Sequence, residues 1–442
     1  MRMQRTKIAL LIGSALCGAI FLSAGMASAA TLTSPTAQET ERLLKDRDLG
    51  PLAKKLGAWF EDAEAGEDTL ESEQDFREAL TKVNEKRLRG GDLLSSPSDL
   101  GMTVFLANNY AKKAPKRVNG KVTMQSEKFG DFDVEYAVWS PSKYKGKEPV
   151  TLVLSIPEEG KNPQEHIQQT WVDGGFKDTV VIASPKMPGD SKTWTESEGR
   201  RAILLTLRFV SKTWAVDANR VFIGGRGRGG EAALAMAHSS PDRFAGAFAW
   251  ASDAGEGLEP ENLRHTPVLI SGGGGRATAF LERAKAAGLE EVIVLDPDAA
   301  EAEFVAWIGE KTRANYPSKI TVVPQGKYPY RSHWIQFAPV SDTEGVRVDA
   351  EVDRETNTIT LTSSGIREVS VFLCDGLVDM SKPVTVIANG VTSKNTFPRS
   401  VNTFLKFLAQ GKNDSGRSFV ATKQFHLPAV ARAESDDSGA PK

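Results

Sequence analysis

Val216-Asp217-Ala218-Asn219-Arg220-Val221-Phe222-Ile223-Gly224-Gly225-Arg226-Gly227-Arg228-Gly229-Gly230 is the stretch from which the fold of this chain is read. Val221 to Ile223 is a short apolar strand, and Glu231 to His238 follows as a helix. Between them the turn is almost all glycine. Glycine at that density marks a place where backbones approach closely or φ is positive.

The same alternation continues on both sides. Phe132 to Trp139, Val150 to Ile156, Thr179 to Ala183, Phe244 to Trp250, Pro267 to Ile270, Glu291 to Leu295 and Ile320 to Pro324 read as strands. Arg200 to Trp214, Ala277 to Ala287 and Glu301 to Tyr316 read as helices between them. Apolar strands alternating with helices predict an α/β domain over 116–330, a mostly parallel sheet with helices on both faces. Residues 30–115 read as a helical region, with Leu49, Leu52, Leu56, Trp59 and Phe60 at helical spacing and Ser98 or Asp99 capping a third helix. Residues 331–428 read as a small β-rich module, and 429–442 as a disordered tail rich in Ala, Ser and Asp.

Length and charge narrow the function classes. The chain has 442 residues, with 55 basic and 57 acidic side chains. That balance argues against a nucleic-acid binder. Arg2, Arg5 and Lys7, the apolar run Ile8 to Leu22, and Ala27-Ser28-Ala29 together read as a secretory signal peptide cleaved after Ala29, not a transmembrane span. A lipoprotein leader using Cys17 fits worse, because Leu16 stands where a small residue is expected. Cleavage removes three basic side chains, leaving 52 against 57 and a net charge of −5. The expected location is therefore periplasmic or extracellular. Cys374, in the apolar run Val371 to Cys374, reads as a small core residue. No cofactor or metal motif stands out.

The quoted stretch, with Glu231-Ala232-Ala233-Leu234-Ala235 and Ser240-Pro241-Asp242-Arg243-Phe244-Ala245-Gly246, resembles the strand–elbow–helix of secreted α/β hydrolases. The branch is that of esterases and polyhydroxybutyrate depolymerase-like proteins, which run VDxxRVYxTGxSxGGxxA with PDxFA after the helix. Val378-Asp379-Met380-Ser381-Lys382-Pro383-Val384-Thr385-Val386-Ile387-Ala388-Asn389-Gly390 resembles a β-rich module appended to some bacterial members. The resemblance implies an α/β-hydrolase-like fold. Gly225 and Gly229 match the motif's glycines, but Gly227 stands where the nucleophilic serine belongs. A glycine has no side chain with which to attack a carbonyl.

The remaining machinery is also altered. Where the family carries a His-Gly run that helps build an oxyanion hole, this chain has Pro157-Glu158-Glu159-Gly160. Proline lacks an amide donor and the two carboxylates repel an oxyanion. The strand that precedes the catalytic acid runs into Gly272-Gly273-Gly274-Gly275-Arg276, and Asp296 and Asp298, one strand later, read as strand-end and cap residues. Among the histidines, His238 reads as a helix C-terminal cation suited to the dipole. His265 and His426 read as surface or strand-flank positions. His333 is nearest in order to the family's base, yet it lies in an alternating, strand-like run.

Three readings follow. The first is an exported, catalytically degenerate hydrolase fold, a pseudoenzyme that binds a small anionic ligand or an envelope protein. Its anion site would lie at Arg226 and Arg228, with Gly227 and Gly229 at a helix N-terminus. In the bland version of that site the arginines pair with Glu158, Glu159 or Glu231. The second is an active esterase with a displaced nucleophile, Ser155, Ser252 or Ser271, and His333 as base. The third is an envelope scaffold. Trp171, Trp194 and Trp250 are candidates to line a cleft.

Overall fold

The computed structural model describes residues 41–429 apart from 109–119, 143, 145, 147, 174–179, 190, 273, 296–300 and 412–413. The leader, residues 430–442, and Asp296 and Asp298 lie outside the described residues. What is described forms one compact unit.

Its centre is an eight-stranded sheet in the order β1-β2-β4-β3-β5-β6-β7-β8. The strands are β1 (Thr123–Phe129), β2 (Phe132–Trp139), β3 (Val150–Ile156), β4 (Val180–Pro185), β5 (Val216–Arg226), β6 (Gly246–Trp250), β7 (Val268–Ser271) and β8 (Val292–Leu295). Only β1–β2 and β2–β4 pair antiparallel, and the remaining pairs are parallel. Strands buried on both faces carry mostly apolar residues, as Val150 to Ile156 does. Leu152, Leu154 and Ile156 enter one core with Ala233, Leu234 and Met236, while Val153 enters another with Trp171, Phe248 and Phe304. Order and direction define an α/β-hydrolase-like sheet.

The helices at the start of the chain, Asp46–Ala65, Leu70–Lys86 and Pro97–Ala107, do not cover this sheet. Their apolar stripe, including Leu49, Leu56 and Phe76, shares a core with Val348, Leu361, Val371 and Phe404 of the β-rich region. The rings of Phe76 and Phe404 stack at 6.3 Å. The third helix is capped by Ser96, whose hydroxyl accepts from Asp99 N–H, and not by Ser98 or Asp99. Asp99 is buried and accepts from the Leu43 and Leu44 amides.

Strand β9 (Lys319–Val322), read from the sequence as closing the α/β series, belongs elsewhere. It pairs antiparallel with β12 (Arg347–Asp353) in a five-stranded sheet. A short run such as Ile320-Thr321-Val322-Val323 announces a buried strand without saying which sheet buries it. A four-stranded sheet contains the short strands β10 (Arg331–Ser332) and β11 (Ile335–Gln336). His333 is not in a strand but in the turn between them, at φ 47.

A buried ionic knot ties this body to the N-terminal edge of the large sheet. Asp414 receives Arg313 through two contacts of 2.8 Å, and Arg417 bridges Asp414 and Asp242. Burial alone would raise the Asp242 carboxyl, but the guanidiniums of Arg417 and Arg331 outweigh it and hold it far below the usual carboxylate range. Arg417 is 2% exposed. Asp242→Ala leaves the buried guanidiniums of Arg313 and Arg417 sharing the one carboxylate of Asp414, and should cost about 3–5 kcal/mol in urea unfolding. A change below about 1 kcal/mol would contradict this role.

Candidate functional site

Gly227 is the residue between β5 and the helix Arg228–Ser239, with φ 54 and ψ −125. Few L-residues adopt that conformation, and a strained strand-to-helix turn is the geometry of a nucleophile elbow. Its N–H donates to Trp250 O at 2.8 Å, and its carbonyl accepts from Gly230 and Glu231. The neighbouring glycines are required by contact. A Cβ on Gly229 would lie 2.2 Å from Ile156 O, and one on Gly225 2.4 Å from the same oxygen. The turn thus has the backbone geometry of an elbow with no side chain at its centre.

The space that side chain would take is filled. A Cβ on Gly227 would meet Glu158 Oε1 at 2.3 Å. Glu158 is half-buried, and its carboxylate has no hydrogen-bond or ion-pair partner among the described residues. Next to it, Glu159 Oε2 pairs with Arg228 Nε at 3.1 Å. Arg228 remains 68% exposed. Arg226 is exposed and makes no ion pair among the described residues. Of the two expected anion ligands, one is therefore engaged by a carboxylate and the other has no ionic partner among the described residues.

Beside Arg228 lies a cleft of about 250 Å³. Glu159, Glu231, Asp253 and Glu256 line it against Arg228 and Arg276. Arg276 reaches Asp253, Glu256 and Glu231 at 3.2, 3.0 and 3.3 Å. The cleft is net acidic, which sets it apart from the anion-binding surface expected around Arg228. The glycine run from Gly272 to Gly275 accommodates Asp253. A Cβ on Gly274 would lie 2.5 Å from its Cγ, and its Oδ1 accepts from Ala277 N–H.

Under the elbow the structure joins two residues that sequence reasoning left apart. Trp171 Nε1–H donates to Ser155 Oγ at 2.9 Å, and Ser155 Oγ lies 2.7 Å from His166 Nε2. Tryptophan only donates, so the serine hydroxyl is free to donate onward to a neutral imidazole. Burial, then the Arg226 charge, lowers the His166 pKa to about 4. A hydroxyl donating to an imidazole is the arrangement of a nucleophile and its base. Ser155 is nonetheless 0% exposed. The hydroxyl of Ser252 is buried without a partner, and Ser271 is buried at the end of β7.

His333 does not serve any of these serines. Its Nδ1 pairs with Ser332 Oγ at 2.9 Å, and its Nε2 is buried without a partner. Its neighbours are His265, which precedes β7, and Asp242, which precedes β6. Both lie at the N-terminal edge of the parallel strands, whereas Gly227 follows β5 at the other edge. From Val221 to Arg226 that is a separation of about 17 Å. His238 is also corrected. It is buried and its pKa is lowered to about 4, chiefly by desolvation, so it is neutral and not a dipole-stabilised cation. Trp171 and Trp194 are buried, with Trp194 Nε1 donating to Pro157 O at 2.8 Å. Among the described residues no three or more His, Cys, Asp or Glu gather to hold a metal ion, and no helix is long and apolar enough to cross a membrane.

No family model matches the chain, and neither does any curated protein sequence. Solved structures similar to it are esterases and related hydrolases. One is a thermostable esterase, 14% identical, covering 44% of this chain and 64% of the esterase, with a TM-score of 0.38. Another is an S-formylglutathione hydrolase from Agrobacterium tumefaciens, 16% identical, covering 43% of this chain and 94% of that one, with a TM-score of 0.33. A third is a CE1 ferulic acid esterase from Anaeromyces mucronatus, 13% identical over 43% of this chain and 89% of the esterase, with a TM-score of 0.34. This chain thus spans less than two thirds of the thermostable esterase.

The geometry separates the roles of two elbow residues. Gly229→Ala should destabilise by about 1–3 kcal/mol in chemical denaturation, because backbone atoms must give way. Glu158→Ala, removing an unpartnered and half-exposed carboxylate, should stay within about 0.5 kcal/mol of the parent. The reverse order would refute the close-approach account.

Proposed function

We propose that this chain is an exported α/β-hydrolase-fold protein that no longer performs serine-hydrolase chemistry and uses its former catalytic edge to bind a ligand or partner. Export rests on the leader-like residues 1–29. The observation that carries the reading is Gly227, held in the elbow conformation with the Glu158 carboxylate where a nucleophile would project. An attacking atom is missing, and a negative charge stands beside the place where an oxyanion would have to develop. Intact mass measured after excess fluorophosphonate should show no adduct, and short acyl esters should turn over at the buffer rate. A stoichiometric adduct would overturn the reading.

The Ser155–His166 hydrogen bond supports a second reading, an enzyme with a displaced nucleophile. In that case the adduct would form and would vanish in Ser155→Ala while persisting in Ser252→Ala and Ser271→Ala.

Anion binding, within the first reading, rests on Arg226, the exposed guanidinium without an ionic partner. In a thermal-shift titration at constant ionic strength, phosphate or a small carboxylate should stabilise the protein. At ten times the dissociation constant the gain is about 1.4 kcal/mol. It should disappear in Arg226→Ala and survive in Arg228→Ala. A response equal in all three proteins would remove the arginine assignment.

A further inference from the structure

Three of the histidines of this chain stand at one seam, between the N-terminal edge of the large sheet and the body that holds β9 and β10. His238, in the last turn of the elbow helix, offers Nε2 to two donors: Glu259 N–H at 3.1 Å and Asn262 Nδ2 at 2.8 Å. That atom must carry a lone pair. Asn262 spends its other amide hydrogen on Val323 O at 2.7 Å, and its Oδ1 accepts from Val323 N–H at 2.8 Å. Val323 directly follows β9. At the other end of β9, His265 Nε2–H donates to Lys319 O at 2.5 Å. The half-buried His265 ring meets the buried His333 ring edge to face, centroids 5.3 Å apart. Both ends of one strand, and the turn at β10, are thus held through imidazoles.

The charges facing these rings are nearly all positive. His238 faces Arg200, His265 faces Arg264 and His333, and His333 faces His265, Arg313, Arg417 and Asp242. Arg331 and Arg243 also flank Asp242. The carboxylates of the region are already engaged: Asp242 and Asp414 by Arg417 and Arg313, Glu261 by Arg347 and Arg264, and Asp349 by Arg347 and Thr321. A proton on His238 Nε2 would set donor against donors and release Asn262 from its place. A proton on His265 or His333 would add a cation to a cation-rich seam that has no acceptor to spare.

We infer that this seam is an acid-operated latch, closed while His238, His265 and His333 are neutral and loosened when they are protonated. The inference is independent of what the elbow binds. Desolvation lowers His238 and His265 to about 4 and His333 well below the ordinary value. Groups depressed in the folded state stabilise it above their open-state pKa, near 6.5, and lose that contribution as pH falls toward 4. The carboxylates of the ionic knot titrate far below this window.

Hydrogen–deuterium exchange of the full chain at about pH 7.5 and about pH 5, with rates corrected for intrinsic exchange, tests the latch. Residues 319–323 and 331–336 should open more at the lower pH, by about 25-fold for each imidazole freed. Residues 221–225 in the centre of the large sheet should not follow, and the effect should reverse on neutralisation. The double variant His238→Gln, His265→Gln should lose most of the acid response. Equal change in the seam and in 221–225 in the parent protein, or none in either, overturns the inference whether or not the variant folds. So does a folded variant that keeps the full response.

Discussion

The rest of the candidate site depends on one close approach. The first turn of the elbow helix lies so near the end of β3 that no Cβ fits on Gly225 or Gly229 beside Ile156 O. This contact sets the turn at the C-terminal edge of the sheet and forces Gly227 to positive φ. It does so through backbone alone, so it persists whatever side chain the central position carries. The geometry of the turn therefore does not depend on a side chain at its centre.

Around that fixed turn the side chains are arranged for other ends. Glu158 takes the nucleophile's space, Glu159 engages Arg228, and His166 is committed to Ser155. Three carboxylates converge on Arg276 at the cleft. The His333 imidazole, nearest in chain order to the family's base, lies at the opposite edge of the strands. The proposed binding role, in place of acyl transfer, rests on this arrangement.

Much of the fold was legible because it rests on local patterns. The glycine spacing of 224–230 announced the elbow, and the apolar stretches Phe132 to Trp139 and Val150 to Ile156 announced β2 and β3. The site was less legible for physical reasons. Nothing in the spacing of Ser155 and His166 says that a five-residue helix, Pro163–Ile167, brings their side chains together. Helix-dipole logic favoured a charged His238, but desolvation is the larger effect for a buried imidazole. Sheet membership of Ile320 to Val322 depends on long-range pairing that a short apolar run cannot encode. The segments 30–115 and 331–428 are remote in sequence, and only their apolar faces, meeting at Phe76 and Phe404, make them one core.

In the proposed function the whole constellation has gone, not one side chain. The most direct test puts a hydroxyl back: Gly227→Ser together with Glu158→Ala, which clears the space around it. Acyl-enzyme formation would be followed as the pre-steady-state release of p-nitrophenol from a short ester. With no base beside the elbow, the double variant should fold and show neither burst nor turnover above the parent protein. A stoichiometric burst followed by steady hydrolysis would mean that a working base still stands at this edge, and would contradict the account.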